Sequence, residues 1–308
     1  MADYARLIRP MMKDRAITSR SPRGHLRDML VPGAALLLPG VANALAARVV
    51  ADQGFAAAFV TGAGIANTFF GVPDIGLVTV SELATHVAAI REIFPGPIVV
   101  DADTGFGNAV NMVRTVQMLE RAGADALQIE DQVFPKRCGH FAGKEVIPAA
   151  EMVAKIKAAV DTRRDADLLV IARTDAIAPE GFAAAIDRAA AYREAGADVT
   201  FVEAPTSMEE IAEIPRRLPW PQLINIVIGG RTPELPNAKL KELGYAGVIY
   251  ANVALQSALK GMQAALGELR RKGHIGDALN LLTDFAERQR LVHKDEFDAL
   301  ERKYVAKE

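Results

Sequence analysis

The sequence predicts a (β/α)8 barrel. Three observations carry this: a repeated helix–glycine–strand unit, eight short apolar strand candidates, and polar residues gathered at the C-terminal ends of those strands. The repeat shows in "DQGFAAAFV", "RAGADALQIE", "EAGADVTFVE" and "ELGYAGVIYA", where Gly54, Gly123, Gly196 and Gly244 stand where a helix C-terminus needs a residue tolerant of positive φ. The apolar run after each is too short for a helix and is bounded by turn residues, as a buried parallel strand should be.

Taken in order, the strand candidates are 36–41, 56–61, 97–102, 126–131, 168–174, 199–204, 222–228 and 247–252. Helical patterns at 43–53, 81–93, 109–122, 149–163, 181–195, 207–217 and 237–243 separate most of them. A doubly wound open sheet is the alternative architecture. The expected organisation is a basic, solvated N-terminal arm over 1–30, a barrel over 31–253, and a helical extension over 254–308.

Composition narrows the function classes. Half of the 308 residues are apolar and the net charge is -2, so a large core is available and nothing general attracts nucleic acid or an anionic membrane. The single cysteine excludes an internal disulfide and a cysteine-rich zinc site, which suits a cytoplasmic location. The most apolar segment, "LVPGAALLLPGVANALAARVV", is broken by prolines, glycines, an asparagine and an arginine, so no transmembrane helix is expected.

The chemistry collects at strand ends reading "VTGAG", "VVDADTGFG", "IEDQ", "IARTDA", "FVEA" and "INIVIGG". In a parallel barrel these face one mouth. Asp101 and Asp103 stand two apart, which on a strand points them the same way. With Glu130 and Asp74 they make an oxygen-rich cluster suited to Mg2+ or Mn2+; capping the following turn is the competing role for the aspartates. Arg173 closes an apolar strand and needs an anionic partner, either Glu203 or a substrate carboxylate. Thr61, Gly62 and Ala63 offer hydroxyl and N–H groups to an anion. The long segment 132–148 reads as a mobile lid, in which Lys136, Arg137 and His140 surround Cys138 and favour its thiolate.

The ordered motifs "TGAG", "GVPDIG", "VDADTGFGN", "IEDQ", "KRCGH", "ARTDA" and "FVEA" resemble the isocitrate lyase/phosphoenolpyruvate mutase superfamily, from about Leu36 to Val253. The resemblance implies a (β/α)8 barrel whose last helix is swapped between subunits of a homotetramer. It implies a Mg2+ shell of Asp101, Asp103 and Glu130, with Asp74 joining through water, and no organic cofactor. It places a small-molecule carboxylate on Thr61, Gly62, Ala63, Asp101, Arg173, Asn225, Gly139 and His140. Cys138 falls on the cysteine of the lyase branch, as proton donor to the enolate left by C–C cleavage, among the catalytic residues Lys136, His140, Arg173 and Glu203. The implied reaction cleaves a 2-hydroxy di- or tricarboxylate to a 2-oxo acid and a second carboxylate; phosphonomutase and oxaloacetate hydrolase or decarboxylase activity are the alternatives on this scaffold, and a non-catalytic metabolite-binding barrel a remoter one.

One departure bears on substrate. The segment after Asn225 reads Ile226-Val227-Ile228-Gly229-Gly230, and strand alternation puts Val227 beside Asn225 in the site. A valine cannot hydrogen-bond a third carboxylate, which favours a malate-like dicarboxylate over methylisocitrate unless Arg231 supplies the missing cation.

Overall fold

The computed structural model describes residues 22–136 and 143–305. Its β-strands close into a parallel barrel in the order β1 to β8: β1 Leu36–Val41, β2 Ala58–Val60, β3 Ile98–Asp101, β4 Ala126–Glu130, β5 Leu169–Thr174, β6 Val199–Val202, β7 Gln222–Asn225 and β8 Gly247–Tyr250. Helices alternate with them. The N-terminal α1 spans Pro22–Met29, α2 Ala44–Asp52, α3 Gly62–Ile65 (running into a π-turn, Ala66–Phe70), α4 Val80–Ile93, α5 Ala109–Ala122 and α6 Ala149–Thr162. Then come α7 Ile177–Glu180, α8 Phe182–Glu194, α9 Met208–Arg217 and α10 Asn237–Leu243. Gly54, Gly123, Gly196 and Gly244 all take positive φ at the turns that end helices, as their positions require.

Inside the barrel, Leu38, Phe59, Val99, Ala126, Ile171, Phe201, Leu223 and Ile249 form one apolar cluster, which Leu26 and Leu30 from the N-terminal side join. The remaining core lies between strands and surrounding helices. Residues 22–29, assigned from sequence to a solvated arm, form α1 instead. Leu26 is fully buried, and Arg23 and Arg27, two of the basic residues that suggested solvation, are committed to partners. Arg23 donates to the carbonyls of Ala124 and Glu120 (3.0 and 2.9 Å) and pairs with Asp165 at 3.0 Å; Arg27 pairs with Asp198 at 2.9 Å.

A second compact unit takes in the chain from Leu255 onward. It contains most of α11 (Val253–Lys272), a 3-10 segment, α12 (Phe285–Leu291) and α13 (Lys294–Tyr304). Leu259, Met262, Leu266 and Leu269 recur at helical spacing along α11 and are exposed. Among the described residues no helix is long and apolar enough to cross a membrane.

Closure between β1 and β8 sets the tightest tolerance. A Cβ on Gly40 would lie 1.9 Å from the backbone oxygen of Ala251, so the two strands meet only because this position has no side chain. Gly40→Ala should therefore destabilise the protein by about 3 kcal/mol or more, at the upper end for overpacked cores. The denaturant midpoint measures this; an unchanged midpoint would show that the barrel relaxes freely at this seam.

Candidate active site

The acidic side of the mouth is built by β3 and β4. Asp101 ends β3, and its Oδ1 takes the Gln128 side-chain amide at 3.4 Å and the Asp103 N–H at 3.3 Å. Asp103 does not continue the strand: it sits in the left-handed region, φ 47°. Strand alternation is thus not what brings the two carboxylates together. The turn does, and both reach toward Gly62, where a Cβ would lie 3.4 Å from Asp101 Oδ2 and from Asp103 Oδ1. Lys136 Nζ stands 2.5 Å from Asp74 Oδ1 and 2.6 Å from Asp103 Oδ1, in a position 4 % exposed.

Burial pushes the Asp103 carboxyl up to about 6, with Asp101 and Asp74 adding to the rise and Lys136 opposing it. Glu130 is raised well above the usual carboxylate range, chiefly by burial, against the pull of Arg173. Burial would lower Lys136, yet the surrounding acids hold it well above its ordinary value.

Arg173 has a partner that the sequence reading passed over. Its Nε and Nη2 donate in a fork to Asp175 (2.9 and 3.0 Å), while Glu130 lies 3.3 Å from Nη1 and Glu203 3.9 Å from Nη2. Asp175 also receives Lys144 Nζ at 2.7 Å. Behind it, Asp131 accepts the Asp175 N–H at 2.8 Å and the hydroxyls of Thr174 and Tyr192, each at 2.7 Å. Arg188 donates at 3.3 Å to Asp131 Oδ2, the oxygen that takes the two hydroxyls, and holds Glu180 in a second fork.

The cavity at this mouth lies between the acids of β3 and β4 and the ends of β7 and β8. Of the predicted residues Thr61, Ala63, Asp74, Asp101, Glu130, Lys136, Arg173, Glu203 and Asn225 line it, as does Val227. Thr61 is buried and its hydroxyl accepts from the Gly64 N–H at 3.2 Å, so it caps α3 as well as facing the cavity. Asn225 Nδ2 donates to Glu203 at 3.5 Å. Arg231 is exposed and is not among the lining residues. Cys138, Gly139 and His140, expected in the lid, lie outside the described residues. The flanks of that segment pair antiparallel through Gln132 and Val146, with the Val133 N–H donating to Glu145 at 2.9 Å.

Sequence reasoning did not single out Gln128, Asn252, Phe59, Phe201, Asp175 or Lys144. Gln128 carried a signal, standing two before Glu130 on the same strand face. Asp175 carried another, inside the "ARTDA" motif already noted.

The donor set suits a hard divalent cation. Among the described residues no three acidic groups form a finished metal cage. Glu130 Oε1, however, is buried without a hydrogen-bond partner among them, and the surrounding acids are all-oxygen donors already drawn to an ammonium.

A closed (β/α)8 barrel with buried, cation-seeking carboxylates at its C-terminal mouth defines a barrel enzyme for small anionic substrates. The chain belongs to the phosphoenolpyruvate phosphomutase family, whose model matches residues 26–270. It is 41% identical over 280 residues to the 2,3-dimethylmalate lyase of Eubacterium barkeri, covering 91% of this chain and 97% of that one. It is 46% identical over 257 residues to the 2-methylisocitrate lyase of Aeropyrum pernix, covering 83% and 82%. A crystal structure of a 2,3-dimethylmalate lyase superposes with a TM-score of 0.87 at 36% identity, covering 93% and 96%. A phosphonopyruvate hydrolase seen with oxalate and Mg2+ superposes at 0.83 and 30%, covering 93% and 100%.

Asp175 makes a measurable contribution. Burial alone would raise its pKa, but Arg173 and Lys144 outweigh that and hold it at about 2. An unfolded aspartate titrates near about 4, so the stabilisation is complete above that pH and is lost as pH falls through the folded value. Asp175→Asn should therefore be less stable than wild type at neutral pH, with the gap narrowing below about pH 4. Urea denaturation across pH measures the gap; one that stays constant into acid would remove the ion pairs as its source.

Proposed function

We propose that the chain is a divalent-metal-dependent carbon–carbon lyase cleaving a malate-like 2-hydroxy dicarboxylate to a 2-oxo acid and a second carboxylate. The observation that carries this reading is one cavity joining acids that seek a cation with an apolar wall at Val227. Asp101, Asp103 and Glu130, with Asp74, would hold Mg2+ or Mn2+, and no organic cofactor is needed. The bound cation would supply electrophilic stabilisation of negative charge on substrate oxygen.

Thr61, Gly62 and Ala63 hold the carboxylate beside the substrate hydroxyl, together with Asp101, which orients that end. Arg173, whose guanidinium is steadied by Asp175, would offset charge that develops on the leaving fragment. Removal of the hydroxyl proton forms the new C=O as the C2–C3 pair passes to C3. Glu203, which lines the cavity, and His140 are the protein bases for that proton. Cys138 delivers its Sγ proton to C3, completing the second carboxylate, with Lys136, Gly139 and His140 around it. Asn225 contacts the same fragment. The exposed apolar stripe on α11 supports exchange of the C-terminal helices within a cytoplasmic homotetramer, which sedimentation would measure.

A panel of 2-alkylmalates, methylisocitrate, oxaloacetate and phosphonopyruvate, assayed with Mg2+, tests the reading. The expected result is 2-oxo acid released fastest from an alkylmalate, abolished by chelation and restored by Mg2+. Turnover confined to phosphonopyruvate would replace it with phosphonate chemistry. Cys138→Ala should lower turnover by about 10²–10⁴-fold, the usual contribution of a positioned acid, with oxalate binding preserved. Full cleavage by this variant would remove the thiol from the mechanism.

A further inference from the structure

In a closed eight-strand barrel, β7 and β8 stand across the mouth from β3 and β4. The acids occupy the β3–β4 side. Among the described residues the opposite wall is neutral: Asn225 and Val227 come from the end of β7, and Ile249, Ala251 and Asn252 from the end of β8. A substrate held by its hydroxy-acid end among the acids must direct its other end to this wall. That end is the fragment released by cleavage.

Asn252 precedes α11, where an asparagine ordinarily spends its side-chain oxygen on a first-turn N–H. It does not do so here: Oδ1 is buried and has no hydrogen-bond partner among the described residues. Asn225 Oδ1 is in the same state, its Nδ2 turned to Glu203. Two carboxamides thus bring uncommitted polar ends to one cavity, across a surface of Val227, Ile249 and Ala251. A half-turn of the last torsion exchanges the two ends of the Asn252 carboxamide, so its uncommitted end can offer N–H groups to an anionic oxygen, whereas Asn225 keeps its Nδ2 on Glu203.

We propose that Asn252 is a specificity-determining residue that hydrogen-bonds the carboxylate of the leaving fragment. This rests on the lyase reading. A carboxamide recognises that carboxylate by direction without adding charge, and the flanking apolar surface accommodates an alkyl substituent on the same carbon.

The test compares wild type with Asn252→Leu, close in shape but apolar, and Asn252→Asp, which places a like charge against the fragment. With 2,3-dimethylmalate and Mg2+, kcat/KM should fall about 10–100-fold in the leucine variant, as for a lost hydrogen bond to a charged group, and further in the aspartate variant. Oxalate, which imitates the fragment that stays among the acids, should bind all three proteins equally by calorimetry, showing that the site remains folded. Unchanged kcat/KM in Asn252→Leu overturns the proposal, as does oxalate binding that weakens in step with turnover. If wild type cleaves none of the hydroxy diacids, the lyase reading fails separately. Succinate binding to the oxalate complex then decides the matter: binding by wild type that Asn252→Leu loses supports the contact, and equal or absent binding overturns it.

Discussion

Negative charge taken out of water at one end of the barrel organises the rest of this structure. Asp101, Asp103, Glu130, Asp175 and Glu203 are all buried there, and such groups persist as anions only beside cations or hydrogen-bond donors. The cations come from the chain itself. Arg173 stands on β5, while Lys136 and Lys144 flank the segment after β4. Each lysine is buried in an ion pair, one on Asp74 and Asp103, the other on Asp175. The segment carrying Cys138 is therefore fastened at both flanks to the acids it would serve. Charge balance thus ties both described flanks, Lys136 and Lys144, to buried acids.

Neighbouring acids show how the same barrel separates support from reaction. Glu130 and Asp131 are consecutive, and strand geometry sends them to opposite faces. Asp131 turns outward and is fully occupied by Thr174, Tyr192, Arg188 and the Asp175 N–H. Glu130 turns inward and keeps one oxygen without a partner among the described residues. A satisfied carboxylate rigidifies, and an unsatisfied one seeks a ligand. The outward network fixes the backbone at 174–175, which in turn fixes the plane of the Arg173 guanidinium.

The barrel was legible because buried parallel strands are short apolar runs and each helix turn marks itself with glycine. The predicted 36–41 strand matches β1, and the predicted 109–122 and 237–243 helices match α5 and α10. Misreadings arose where a local rule met a tertiary partner. Arg23 and Arg27 looked solvated because Asp165 and Asp198 lie far along the chain. The small residues of Gly62–Ile65 concealed a helix that Thr61 caps. Asp103 was expected to follow strand alternation, but the strand stops at Asp101 and a left-handed turn takes over. Asp175 was hidden by proximity: a partner two residues away was not weighed against Glu203 across the mouth. Asn252 gave no sign, since an asparagine ahead of a helix reads as a cap until its oxygen is found uncommitted.

The contrast between the two walls has a kinetic consequence. An enzyme that breaks one molecule into two must hold both halves through the transition state and then release them in turn. The β3–β4 wall, rich in charge, suits the half that remains bound. A cation on the β7–β8 wall would grip the other half as firmly and slow its departure, since charged contacts weigh on dissociation. A wall of Val227, Ala251 and carboxamides would avoid this: Asn252 would orient a carboxylate through a neutral donor and leave no charge behind to desolvate. With Arg231 exposed and outside the lining, no described residue on that wall restores the cation. The same neutrality would make a third carboxylate costly to bury there and an alkyl group cheap, so on the lyase reading product release and substrate choice would follow from one feature of the wall.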